Sequence, residues 1–125
     1  MKTILTLVLL LGAVLGARAE NTTVAGNSAL TNSLKVASQP TKLYAVTGMN
    51  LSGSAEYIQV FQKVTPVNGD VPVFSFPVFA SSPFALDFSF YGADLDAITI
   101  CASTTATTLT LATANTTLQA IVKSR

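Results

Sequence analysis

From residue 41 onward, the chain is a series of short runs rich in β-branched and aromatic residues, separated by residues typical of turns. The clearest run places large apolar side chains at every second position, Phe84, Leu86, Phe88 and Phe90. Alternate side chains of a β-strand point to the same face, so this pattern predicts one sheet face packed on a core. No comparable helical spacing follows the first nineteen residues. The chain is therefore expected to be all-β.

Seven or eight such strands can be placed along the chain. A first, irregularly spaced one runs through Leu30, Leu34 and Val36. Pro72 and Pro77 cannot donate hydrogen bonds to a ladder, so the run that contains them is expected at a sheet edge. Short antiparallel strands with frequent turns predict a single β-sandwich or jelly-roll-like domain. The other expected strands lie at 42–47, 56–64, 71–80, 84–90, 96–102, 107–111 and 117–123.

The N-terminus has the organisation of a secretory signal peptide. Lys2 precedes an apolar run over residues 4–16, which is too short for a membrane span of about 20 residues. Ala17 and Ala19 are small residues at the two positions that a signal peptidase reads. We therefore expect cleavage after residue 19, with no integral membrane segment left in the mature protein.

The remaining chain divides into an extended N-terminal leader, residues 20–40, and a β-sandwich domain, residues 41–125. The leader contains no aromatic residue and is rich in Asn, Ser and Thr. Pro40 marks the break between the two parts. The expected location is extracellular or at the cell surface, with the periplasm as the alternative.

Charge and cysteine content exclude several classes of protein. After signal cleavage the chain has five basic and six acidic residues, so no basic footprint for nucleic acid remains. Cys101 is the only cysteine, and its β-rich apolar neighbours predict a buried, inert thiol. The alternative is a disulfide between two chains. A small exported domain without a disulfide framework fits a bacterial source at least as well as a eukaryotic one.

The sequence contains no histidine, which removes the commonest general base and most zinc sites. Catalysis would depend on carboxylates, and a glycosidase needs two of them about 5–10 Å apart across a cleft. No pair in the sequence is marked out for that role, so we predict no catalytic residues and no enzyme. The available carboxylates are Glu20, Glu56, Asp70, Asp87, Asp94 and Asp96.

Asp94 and Asp96, close to Gly92, form the one pattern that could bind calcium. A turn followed by the start of a strand explains both carboxylates without a metal, so we predict neither a metal site nor a cofactor. Three Asn-x-Ser/Thr sequons matter only if the host glycosylates exported proteins. They begin at Asn21, Asn50 and Asn115.

Sugar-binding sandwiches usually display aromatic rings that stack on the ligand. This chain has no tryptophan, and its candidates are Tyr44, Tyr57 and Tyr91. Tyr44 and Tyr57 are equally explained as residues at the boundary of the core. Tyr91 lies in an expected turn and is the best candidate for stacking.

The segments 43–48, 56–61, 71–73 and 82–88 resemble a loosely defined group of small β-sandwich proteins encoded by phages and bacteria. The resemblance covers about residues 40–123 and implies a structural or surface role with no catalytic signature. The signal peptide distinguishes this chain from a virion component, which stays in the cytoplasm for assembly. This difference favours an exported bacterial protein.

These observations predict a non-enzymatic exported structural protein that self-assembles as a surface, matrix or filament subunit. An extended leader could add as a strand to the sheet edge of a neighbouring copy, and a disordered terminus is its alternative. The alternative function is a monomeric secreted module that binds a ligand, most plausibly a glycan.

Overall fold

The computed structural model describes residues 22–125, so the expected signal peptide, Glu20 and Asn21 lie outside the described residues. The described chain contains nine strands and no helix, which confirms the all-β prediction. The strands are β1 (Thr23–Thr31), β2 (Ser33–Ala37), β3 (Thr41–Asn50), β4 (Glu56–Phe61), β5 (Phe74–Val78), β6 (Ser82–Asp87), β7 (Ala93–Leu95), β8 (Ile98–Ser103) and β9 (Thr116–Ser124).

The strands form two antiparallel sheets with jelly-roll connectivity. One sheet has the order β1-β9-β3-β6, with the short β7 paired to the other end of β3. The second sheet has the order β2-β8-β4-β5. Leaving β7 aside, the first strand pairs with the last, the second with the next to last, and so on inward to β4 and β5. This nested pairing is that of a long hairpin rolled into two sheets, a jelly roll.

The main core lies between the two sheets and is built from alternate residues of the central strands. Leu43 and Val122 face inward from β3 and β9, and Ile58 and Ile100 face them from β4 and β8. All four side chains are buried. Burial of each large apolar side chain stabilises the fold by about 1.5–3 kcal/mol.

A second, smaller core covers the outer face of the β2-β8-β4-β5 sheet. Phe61 and Cys101 point away from the main core and pack with Leu109, which lies in the loop after β8. The Cys101 thiol is 1% exposed and donates a hydrogen bond to Ser33 Oγ at 3.6 Å. Burial raises the pKa of this thiol, which keeps it protonated and unreactive. The predicted burial of Cys101 is confirmed.

The loop over this outer face replaces an expected strand. Residues 107–111 were expected to form a strand, but only Leu111 makes an isolated bridge, to Ser103. The Gln59 amide Nε2 instead donates to the carbonyl of Thr105 at 2.8 Å and, more weakly, to that of Thr108 at 3.3 Å. The loop backbone is thus anchored by a buried side chain of the sheet beneath it, in addition to its short pairing with the end of β8.

A turn before β5 anchors the same loop from its other side. Gly69 N donates to the Leu109 carbonyl at 2.8 Å, and Leu109 N donates to the Asp70 carbonyl at 2.8 Å. Gly69 has a φ of +96°, as expected for the reversal that the Asn-Gly pair predicts. Residues 104–115 are therefore an ordered covering loop, which folds back on the end of β8 through hydrogen bonds from Thr104 N to the Thr110 carbonyl and from Ala112 N to the Ala102 carbonyl.

The alternating run at 84–90 is confirmed in three of its four positions. Phe84, Leu86 and Phe88 are partly buried against the main core. Phe90 is 91% exposed, so its expected place on the inner face is wrong. β6 ends at Asp87, whose Oδ1 accepts a hydrogen bond from Ser89 N at 2.9 Å, and this side-chain turn takes the chain out of the sheet.

The segment assigned to the N-terminal leader supplies one edge strand to each sheet. The expected single strand through Leu30, Leu34 and Val36 is two strands separated by a bend at Asn32. β1 pairs with β9, and β2 pairs with β8. Leu34 and Val36 of β2 pack against the main core, whereas most of β1 is exposed.

We expect Ile100→Ala to lower the free energy of unfolding by about 2–5 kcal/mol, because it removes a fully buried side chain and leaves a cavity between the sheets. Ile121→Ala is the matched control, since Ile121 lies on β9 but is 37% exposed. Its expected cost is below about 1 kcal/mol. Equal losses for the two variants in urea unfolding would contradict the assigned inner and outer faces.

We expect Cys101 in the native protein to react slowly with a thiol-specific aromatic disulfide and to react rapidly once the chain is unfolded in guanidinium. The reason is that the thiol is buried and protonated. A Cys101→Ala, Thr107→Cys variant, which carries an exposed thiol on the covering loop, should react rapidly in both states. Equal rates for the native protein and this control would show that Cys101 is accessible.

Candidate functional site

The isolated carboxylates each have a local partner. Glu56 is buried and accepts a hydrogen bond from Thr116 Oγ1 at 3.0 Å. Asp70 accepts one from Lys63 Nζ at 2.8 Å, and this bond holds the pKa of the Asp70 carboxyl below its usual range. Asp87 caps the turn after β6. These three carboxylates therefore have structural roles in the described chain.

The candidate calcium pair is engaged by cations. Asp94 Oδ1 lies 3.7 Å from Lys42 Nζ and 3.8 Å from Arg125 Nε. Asp96 Oδ1 lies 3.4 Å from an Arg125 guanidinium nitrogen. Among residues 22–125, no group of three or more potential metal-ligating side chains occurs. Within the same residues, no helix has the length and hydropathy to cross a membrane.

The sequons differ in accessibility. The Asn50 side chain is fully buried, and its Nδ2 donates to the carbonyls of Ser54 at 2.9 Å and Phe79 at 3.2 Å. A glycan on this nitrogen would replace one of its two N–H donors and so break at least one of these bonds. Asn115 is half-buried at the start of β9.

The three tyrosines lie where the sequence pattern placed them. Tyr44 and Tyr57 are half-buried on β3 and β4, at the boundary of the core. Tyr91 is exposed in the turn after β6, and its ring lies edge-on to that of Phe90 with 5.8 Å between centroids. Sequence reasoning missed Phe90 as an exposed ring, because the alternation assigned it to the core.

The first candidate surface is the free edge of β1. β1 is an edge strand, and all nine of its residues are uncharged and none is proline. The other edges carry residues that interfere with pairing. β2 contains Lys35 and an irregular register, β5 contains Pro77, and β6 contains Pro83. Charges, prolines and bulges are the features by which proteins block sheet edges. The β1 edge carries no charge or proline, although its pairing with β9 also has a register shift between Asn27 and Thr31.

The second candidate surface is a cationic cavity of about 250 Å³ on the outer face of the β1-β9-β3-β6 sheet. In the strand register Lys42 lies directly between Asp94 on β7 and Lys123 on β9, so one charged row crosses three strands. Arg125 lies close to the same row because its guanidinium contacts Asp94. The cavity is lined by Lys42, Tyr44, Asp94, Lys123, Ser124 and Arg125.

The exposed aromatic turn borders this cavity. Gly92, at the end of the turn, is so close that a Cβ atom there would lie 2.8 Å from Lys42 Cγ and 3.1 Å from Tyr44 Cδ1. Its φ of +69° also favours glycine. The turn that carries Phe90 and Tyr91 thus lies next to the cavity through Gly92, and the two together are called here the cationic cleft.

No protein-family model matches the chain, and no curated protein matches it by sequence. Two solved structures of the coat protein of tobacco streak virus are similar in fold, at 15% sequence identity and a TM-score of 0.47. In the first, a coat protein dimer, the similarity covers 84% of this chain and 86% of the coat protein chain. In the second, a different crystal form, it covers 85% and 87%. The jelly-roll assignment of the present chain follows from its own strand pairing.

Proposed function

We propose that this protein is a non-enzymatic structural subunit that self-assembles by strand addition through β1. The observation that carries the proposal is the outer edge of β1, which carries neither charge nor proline and has no neighbouring strand in the described chain. An edge of this kind is a template for pairing with another chain. The structural role is further supported by a sequence without histidine and by carboxylates engaged in local contacts.

The proposal includes export of the chain by a bacterium and assembly into a surface, matrix or filament. Export is supported by the apolar N-terminal run with its small residues at 17 and 19. A bacterial source is supported by the lone cysteine and by the resemblance to small β-sandwich proteins of phages and bacteria.

A second copy of this chain is the partner that best fits the β1 edge. β1 already pairs with β9 of its own chain, so strand addition uses its opposite edge. Two identical strands can pair antiparallel across a two-fold axis, which makes the interface the same on both subunits and closes a dimer; a surface, matrix or filament would be built from such dimers through further contacts. β1 carries no charge, so this arrangement places no like charges opposite each other.

β1 contributes little to the core, since seven of its nine residues are exposed. Gly26 packs closely, since a Cβ atom there would lie 2.9 Å from Leu34 Cδ2 and in collision with the Leu118 carbonyl. Val24 is 64% exposed, and Leu30 is also exposed. Charges at these two positions should therefore block pairing between copies without loss of the fold.

We expect residues 20–125 to form dimers or larger assemblies whose mass rises with concentration and persists in reductant. The Val24→Lys, Leu30→Lys variant should shift the midpoint of assembly to about tenfold higher concentration or more. The reason is that each new lysine is present on both copies of a two-fold interface, so every repulsion occurs twice. Size-exclusion chromatography with light scattering measures both quantities. Circular dichroism and thermal unfolding should show that the variant is folded.

Val71→Lys is the matched control, since Val71 is 75% exposed and lies in the loop before β5, outside β1. This variant should assemble like the wild type. Unchanged assembly of the Val24→Lys, Leu30→Lys variant would overturn the role of β1. A wild-type monomer at all concentrations would overturn self-assembly and favour the monomeric ligand-binding module. Dimers lost only in reductant would assign association to Cys101.

A further inference from the structure

We propose that the cationic cleft binds a carboxylated sugar, a single uronic acid residue of an acidic glycan. This site involves β3, β7, β9 and the turn after β6, and it does not depend on assembly through the β1 edge. Three of the five basic residues in the described chain, Lys42, Lys123 and Arg125, line one cavity. Such a concentration of positive charge in a nearly neutral protein is the first indication of an anionic ligand.

Lys123 is the cation without a counter-ion. Lys42 contacts Asp94, and Arg125 contacts both Asp94 and Asp96. Within residues 22–125, no carboxylate oxygen lies within 4.0 Å of Lys123 Nζ. Lys42 and Lys123 are also directly opposite each other on neighbouring strands, and like charges in that position are destabilising. A bound carboxylate would neutralise Lys123 and relieve this repulsion.

The other walls of the cleft suit a sugar ring. Tyr44 supplies an aromatic surface next to the lysine row, and the rings of Phe90 and Tyr91 are exposed at its border. Aromatic rings provide a rigid apolar surface on which the C–H face of a sugar can pack. The Asp94 carboxylate can accept hydrogen bonds from sugar hydroxyls, and the Ser124 hydroxyl can accept or donate them. The cleft therefore combines an anion-binding row with groups that recognise a neutral polyol.

Size and charge together exclude larger anionic partners. The cavity of about 250 Å³ is smaller than the roughly 300–1,000 Å³ of drug-sized ligand pockets, which matches one sugar unit. The side chains that line the cavity carry three positive charges and the negative charge of Asp94, and Arg125 also pairs with Asp96. Binding to anionic membranes or nucleic acid depends on clusters of basic residues that neutralise several phosphates. Among the described cations of this cleft, only Lys123 lacks a carboxylate within 4.0 Å, so one carboxylate is the charge that the cleft can balance.

The experiment uses residues 20–125 and trigalacturonic acid, with its methyl ester as the uncharged counterpart. Titrations followed by NMR should show shifts at Lys42, Tyr44 and Lys123 for the acid, and affinity should fall as salt is raised. The methyl ester should bind at least about tenfold more weakly, since it cannot pair with Lys123.

Lys123→Gln should weaken binding of the acid by about tenfold, and it should leave the mass of the assembly unchanged. Lys35→Gln is the matched control, because it makes the same change in net charge on β2, in the other sheet. It should bind like the wild type. Equal weakening by both variants would show a general charge effect and overturn the site.

Three further outcomes would overturn the proposal. The first is no binding of trigalacturonic acid, and the second is equal affinity for the acid and its methyl ester. The third is association with vesicles of phosphatidylserine and phosphatidylcholine, abolished by Phe90→Ala and Tyr91→Ala, without any binding of the acid. That result would assign the cleft to a lipid surface. Failure of β1 assembly affects none of these readouts, so the two proposals can be judged separately.

Discussion

The fold depends on the burial of β8 on both of its faces. All six residues of this strand are buried, although only one face lies between the two sheets. Ile98, Ile100 and Ala102 belong to the main core, whereas Cys101 belongs to the smaller core on the outer face. A strand covered on both sides needs a third layer, and the covering loop at 104–115 supplies it. The small size of the chain and the absence of an internal disulfide are thus offset by a second apolar layer.

The covering loop also shows how a polar side chain can hold irregular backbone in place. Gln59 is fully buried, and its Nε2 faces three loop carbonyls, those of Thr105, Ala106 and Thr108. Its Oε1 has no hydrogen-bond partner among the described residues. Leaving one buried acceptor unsatisfied is costly, but several backbone carbonyls gain a donor that no neighbouring strand offers. The side-chain hydrogen bonds of Gln59 thus take the place of backbone hydrogen bonds where the loop is not extended enough to pair as a strand.

Local patterns in the sequence were sufficient for the fold class and for most strands. Alternation correctly placed Phe84, Leu86 and Phe88 on an inner face, because that pattern directly reflects which side of a strand is buried. It failed at Phe90, because periodicity does not indicate where a strand ends. It also failed at 107–111, where Gln59 and residues 69 and 70, all distant in sequence, hold the loop in addition to the single bridge of Leu111 to Ser103.

The candidate sites were predictable only in part. The sequence predicted an extended leader without aromatic residues, and it singled out Tyr44, Tyr57 and Tyr91 as aromatic candidates. It did not reveal that β1 is a free edge, since edge position depends on the order of all strands. The charged row depends on the register of β3 with both β7 and β9, including the irregularity near Tyr44. A slip of one residue in strand pairing would move these side chains to the other face of the sheet. The charged row therefore cannot be predicted from the sequence without knowledge of the register.

The two proposed surfaces lie on the same sheet, and this arrangement has a consequence for polymeric ligands. Antiparallel pairing of β1 with its copy requires a two-fold axis perpendicular to the sheet. Rotation about such an axis leaves the outer faces of the two copies on the same side of the joined sheet. The two cationic clefts of a dimer would then face one direction across a continuous sheet. An acidic polysaccharide that reaches both clefts would bind the second one intramolecularly, so its avidity would exceed the affinity of one weak site. A single cleft of about 250 Å³ can therefore remain weak while the assembly holds a polymer firmly.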